Sequence, residues 1–125
     1  MTKSLLLVGV GSFCGGALRY YVSTLLKGSC HHSFPLDTLL VNLAGCLLMG
    51  VLLGHFAKMG WQASSWCLML TAGFCGGFTT FSAFANKSLQ MLQSGNVLHL
   101  ILYAFASVLI GIALVALGFW LVKQF

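Results

Sequence analysis

The side chains able to do chemistry are few, and they are poorly suited to breaking bonds. The 125-residue chain has one acidic residue, Asp37, and no glutamate. General acid–base work has no pair of carboxylates to use. No G-x-S-x-G or P-loop pattern appears. The five cysteines, Cys14, Cys30, Cys46, Cys67 and Cys75, form no C-x-x-C pair. Four of them lie in apolar segments, where cysteine serves as a small packing residue. Cys30, His31 and His32 could bind a metal, but adjacent ligands in a connector are a weak signal. His55 and His99 fall near the ends of apolar runs. What remains can hold an ion without transforming it: hydroxyls, one amide, aromatic rings, and a cation inside apolar sequence.

These groups concentrate in TAGFCGGFTTFSAF, residues 71–84. Adjacent glycines, Gly76 and Gly77, each weaken a helix by about 1 kcal/mol relative to alanine. Thr79, Thr80 and Ser82 follow, types that cap a new helix. The stretch reads as a helix that stops and restarts. In lipid, the freed backbone groups must face protein, water or an ion. Broken spans in transporters turn half-helix N-termini toward anions and unwound carbonyls toward cations. The alternative is a glycine contact where another helix crosses closely. Phe74, Phe78, Phe81 and Phe84 recur at helical spacing, as a packing surface would. Their positively polarised edges, beside hydroxyls, could also coordinate a small anion without fixed charge.

Elsewhere, Arg19 sits about 21 Å along a helix from Leu5. It either faces a cavity or snorkels to the interface. Asn42, with Thr38 one turn earlier, is an amide that needs a partner in lipid: a pore wall or a neighbouring helix. Tyr103 and Ser107 share one helix face, which Gly111 continues. Asp37 stands where a span begins, a position that favours a helix N-terminus.

The elements that must position these groups follow from composition. Apolar residues make up 59% of the chain and charged residues 6%, and the mean hydropathy is +0.99. A soluble domain carries roughly 25% charged residues, so the chain belongs in a bilayer. The six basic residues are scattered, so the net charge of +5 does not imply nucleic acid. Four windows can span a membrane, at about 4–26, 36–57, 66–92 and 97–122, each near the ~20 residues required. They form a single membrane domain, 1–125. The opening MTKSLLLVGVG lacks an A-x-A cleavage site and reads as the start of the first span. Pro35 is a natural start for the second. Gly76 lies about 15 Å beyond Trp66, near the bilayer midplane. Gly11 and Gly15, Gly50 and Gly54, and Gly73 and Gly77 predict close helix packing, within one chain or between chains.

With four spans, Lys3, Lys58 and Lys123 share one side, and Lys27 and Lys87 the other, with Arg19 nearer the second. The positive-inside rule orients a protein by this difference, which is close to zero. Either the chain inserts both ways up, so that opposite copies can pair as an antiparallel dimer, or something else sets its orientation.

GGALRY at 15–20, TLLVNLAG at 38–45 and GFCGGFTTFSAF at 73–84 strongly resemble the fluoride channel family called Fluc or CrcB. The resemblance covers three spans by motif and all four by layout. It implies an all-α membrane protein of the bacterial inner membrane, with the third of four helices broken near the midplane. It also implies a dual-topology antiparallel homodimer with two pathways for passive fluoride export. A structural sodium ion would sit at the dimer centre, held by the backbone carbonyls of Gly76 and Thr79. The pathway would use Phe81, Phe84, Asn42 and Thr38, a vestibule Arg19, and a polar track of Ser82, Tyr103 and Ser107. The chain departs from the family pattern at Ala83, where threonine is common, and at Asp37, where glycine is usual. It departs also at Lys87, where an acidic residue is frequent, and at Gly111, which offers no hydroxyl. A small multidrug exporter, the nearest competitor, needs a carboxylate within the membrane. A membrane scaffold would have no need of the break and its hydroxyls.

Overall fold

The computed structural model describes residues 1–28 and 34–125. Cys30, His31 and His32, the cluster considered for a metal, lie outside the described residues. Among the described residues there are helices and no strands. Four helical stretches are long and apolar enough to cross a membrane: Thr2–Lys27, Leu36–Met59, Ser65–Gln93 and Val97–Gln124.

The first two stretches are the single helices α1 (Thr2–Lys27) and α2 (Leu36–Met59). The third comprises α3 (Ser65–Leu68), a π-helical segment (Met69–Cys75), α4 (Gly76–Phe78) and α5 (Phe81–Gln93). The fourth comprises α6 (Val97–Phe105), a π-helical segment (Ala106–Ile110) and α7 (Gly111–Gln124). Local chemistry sets the boundaries. Pro35, which cannot donate a backbone hydrogen bond, precedes α2. Gly60 ends α2 in a left-handed conformation, φ 71°, where a Cβ would be penalised. Ser64 accepts from the Cys67 N–H at 3.1 Å and caps α3.

Between α4 and α5 the backbone leaves the helical region for two residues. Thr79 has φ −88° and ψ 150°, and Thr80 has φ −148° and ψ 128°. The four phenylalanines therefore divide into two pairs. Phe74 and Phe78 stack, with centroids 6.0 Å apart. Phe81 and Phe84 meet on the other side of the extended residues at 5.5 Å. The sequence predicts that a hydroxyl caps the restarting helix. Thr80 does take the cap position, but its side chain makes no capping bond. Its Oγ1 lies instead 2.9 Å from Ser82 Oγ.

The helices pair through glycine. α1 packs on the π-helical segment of the third stretch and on α4, while α2 packs on α7. A Cβ at Gly11 would meet the Met69 carbonyl oxygen, and one at Gly15 the Phe74 carbonyl oxygen. From the other side, a Cβ at Gly77 would come within 2.5 Å of the Ser12 carbonyl oxygen. In the second pair, a Cβ at Gly50 would meet the Val115 carbonyl oxygen, and one at Gly118 would lie 2.7 Å from that of Leu47. These glycine contacts lie within one chain, which the spacing alone left open. Small residues let backbones approach where apolar association gains nothing from lipid.

Leu5, Leu6, Phe13, Trp66, Leu98 and Ile112 are exposed, as suits a surface that meets acyl chains. The buried cluster is small: Leu39, Met91 and Tyr103, with Phe34, Leu43 and Phe84 packed against it. Cys67 and Cys75 are buried and Cys46 is half-buried, but Cys14 faces outward despite its apolar setting. These four cysteines are free.

Candidate functional site

The extended residues Thr79 and Thr80 lie against α2 and beside the π-helical segment of the fourth stretch. A groove of about 240 Å³ forms there, lined by Asn42, Cys46, Thr79, Thr80, Phe81, Phe84, Ser107 and Val108. Among the described residues no charged side chain lines it. Its walls are aromatic and aliphatic, and its polar groups are an amide, hydroxyls and backbone.

Asn42 makes two bonds to one residue. Its Oδ1 accepts from the Thr80 N–H at 3.0 Å, and its Nδ2 donates to the Thr80 carbonyl at 3.3 Å. This pairing fixes the amide's orientation, since a flipped amide would set donor against donor. The side chain still has a second N–H on Nδ2. In a continuous helix the Thr80 N–H would go to the carbonyl four residues back, that of Gly76. Here the Gly76 carbonyl loses that donor. Helical bonding ends one residue earlier, where the Thr79 N–H and Oγ1 both donate to the Cys75 carbonyl, at 2.9 and 2.8 Å. The next carbonyl, Gly77, accepts from Arg19 Nε at 3.4 Å. Arg19 is thus turned toward the end of α4, and its guanidinium takes over from a missing helical donor.

Tyr103 is fully buried and stacks on Phe84, with centroids 5.1 Å apart, while Phe34 meets it edge-on at 5.8 Å. Neither the Tyr103 hydroxyl nor the buried Ser107 hydroxyl meets a hydrogen-bond partner among the described residues. Leaving such a group unsatisfied costs about 1–3 kcal/mol. Both hydroxyls are left with hydrogen-bonding capacity among the described residues.

The structure thus gathers Asn42, Phe81, Phe84, Ser107 and Thr79 on one groove, with Tyr103 behind Phe84. Arg19, Thr38, Ser82 and Gly76 do not line it. Thr38 is buried, and Ser82 is exposed beside Thr80. Sequence reasoning assigned no partner to Asp37. It is only 4% exposed, and its Oδ2 accepts from Ser23 on α1 at 3.1 Å. Ser23 was overlooked, although it stands one turn beyond Arg19 on the same helix face and could have been noticed for that.

Comparison with known proteins places the whole chain in one family. The family profile described as CrcB-like protein, Camphor Resistance (CrcB), matches residues 6–119. A protein of Azobacteroides pseudotrichonymphae named Fluoride-specific ion channel FluC is 41% identical over 125 residues, covering 100% of both chains. The protein of that name from Phocaeicola vulgatus is 42% identical over 119 residues, 95% of this chain and 98% of its own. That from Flavobacterium psychrophilum is 34% identical over 122 residues, 98% of each chain. A match that runs through all four apolar stretches, at this level of identity, makes the chain a member of the CrcB family.

Proposed function

We propose that this protein is a fluoride-selective channel of the bacterial inner membrane, through which fluoride leaves the cell passively and its toxicity is relieved. The observation that carries the reading is the groove of Phe81, Phe84, Asn42 and Ser107, uncharged among the described residues, with the Tyr103 and Ser107 hydroxyls unpartnered among those same residues. Fluoride is small and holds its water tightly, so a pore must offer donors in place of that shell. The second Asn42 N–H, the two hydroxyls and the aromatic edges are such donors. Arg19, with its guanidinium at the end of α4, would raise the local concentration of an anion. Ser82 and Thr38 would extend the track beyond the groove. The relatives' name, fluoride-specific ion channel, supports the same reading.

The finer architecture is part of the proposal. The extended Thr79–Thr80 pair is a break of the third span near the midplane. The near-equal charge of the two faces supports insertion in both orientations, and with it an antiparallel homodimer with two pathways. The Gly76 carbonyl, without its helical donor, fits a hard cation, which prefers oxygen ligands. With the Thr79 carbonyl and those of a second copy it would hold a sodium ion. That ion would offset the cost of an anion at low dielectric.

Purified protein in liposomes, read with a fluoride electrode and with chloride run in parallel, tests the function. Fast fluoride efflux without chloride efflux is expected. No efflux of either ion from well-folded protein, with none restored by Ala83→Thr, would reject it.

A further inference from the structure

We propose that Asn42 is a positioning residue that holds the third span open by clasping the backbone of Thr80, and so couples the groove to the Gly76 carbonyl. The inference rests on the pathway and cation reading above. The geometry carries it in three steps.

First, the clasp occupies both backbone groups of one residue. Asn42 Oδ1 takes the Thr80 N–H and Nδ2 takes the Thr80 carbonyl. This is the pairing a neighbouring strand would give, and it suits the extended angles of Thr80. Second, no other group among the described residues replaces it. The Thr80 hydroxyl is turned to Ser82, and no side chain caps α5. Without Asn42 the Thr80 N–H would be left unpaired in an apolar setting, or would return to the Gly76 carbonyl and heal the helix. Third, α2 carries a seat beside the clasp. Gly45 is three residues on from Asn42, and a Cβ there would collide with the Thr79 Cγ2 and lie 3.1 Å from the Phe78 ring. Asn42 and Gly45 together hold the extended pair against α2.

One amide therefore does two jobs. It withholds the Thr80 N–H from Gly76, leaving that carbonyl free for a cation. The same two bonds aim its remaining N–H, and Asn42 lines the groove. A fluoride donor and a cation ligand are linked through one side chain.

The test uses full-length protein with isotope-labelled threonine and glycine, studied by NMR in nanodiscs, with sodium titrations of thermal stability and efflux assays on the same preparations. In the wild type, Thr79 and Thr80 should show extended Cα shifts, and the Thr80 amide should exchange slowly. In Asn42→Ala, either Thr80 exchange accelerates roughly tenfold or more, or both shifts move to helical values. The sodium concentration for half-maximal stabilisation should also rise about tenfold. Asn42→Asp keeps an acceptor for the Thr80 N–H, so Thr80 should stay protected and sodium dependence should stay within about threefold of wild type. Unchanged shifts and exchange in Asn42→Ala would overturn the clasp, as would fast exchange in a folded Asn42→Asp. Wild-type sodium dependence in Asn42→Ala would overturn the coupling. A wild type that does not respond to sodium would overturn the cation reading and the coupling together. Wild-type efflux separately reports whether the channel reading itself stands.

Discussion

At the scale of single residues, the hydroxyls of Tyr103 and Ser107 give the sharpest contrast between stability and transport. Each is buried and has no partner among the described residues, so removing it should relieve the fold. Tyr103→Phe and Ser107→Ala should leave thermal stability unchanged or raise it by about 1 kcal/mol. Fluoride efflux from liposomes should fall roughly tenfold in each, equivalent to one lost donor. Phe81→Ile and Asn42→Ala should abolish efflux while the elution volume on size exclusion stays that of the wild type. Normal efflux in both would break the pathway assignment. Much of this site was legible because its residue types are rare in an apolar chain: an amide, a hydroxyl run and an arginine stand out. Their partners were not legible. Asn42 reaches Thr80 across 38 positions of sequence and Arg19 reaches Gly77 across 58. Asp37 finds Ser23 only because α1 and α2 meet. No periodicity announces such pairs.

At the scale of elements, glycine spacing predicted close packing, and the structure supplies the partners. The contacts separate glycines that matter from those that do not. Gly15 faces the Phe74 backbone with no room for a Cβ, whereas Gly9 has nothing within 4 Å. Gly15→Ala should destabilise by about 1–3 kcal/mol, as overpacking does. Gly9→Ala should be neutral or stabilise by up to about 1 kcal/mol, through helix propensity. Thermal unfolding in detergent, followed by tryptophan fluorescence, checks both. Equal effects would mean that the α1 crossing is looser than described. The π-helical segments Met69–Cys75 and Ala106–Ile110 were not foreseen. Such segments depend on tertiary context and carry no composition signal of their own, and they recur at functional sites. The second of them carries Ser107 to the groove.

At the scale of the whole molecule, the lysine count offers a test of orientation. Replacing Lys27 and Lys87 with glutamine leaves the lysines of one face, Lys3, Lys58 and Lys123, unopposed apart from Arg19. That difference should drive insertion into a single orientation. On the proposed dual insertion, labelling of single cysteines from each side of the membrane should then change from two-sided to one-sided, and efflux should fall as opposite copies disappear. Two-sided labelling that survives the change would separate orientation from lysine count. The four stretches were legible because a bilayer demands long apolar runs, whereas the order in which they pair was not. That order is interleaved: the first stretch packs on the third, and the second on the fourth. A nascent chain leaving the ribosome therefore cannot complete either tight contact with its newest neighbour. Each early stretch must wait in the membrane, retained by its own partition energy, until a partner two insertions later arrives. Biogenesis of this protein is then a process of entry first and assembly afterwards. A substitution at Gly15 or Gly50 would act at that second stage, on assembly and not on entry.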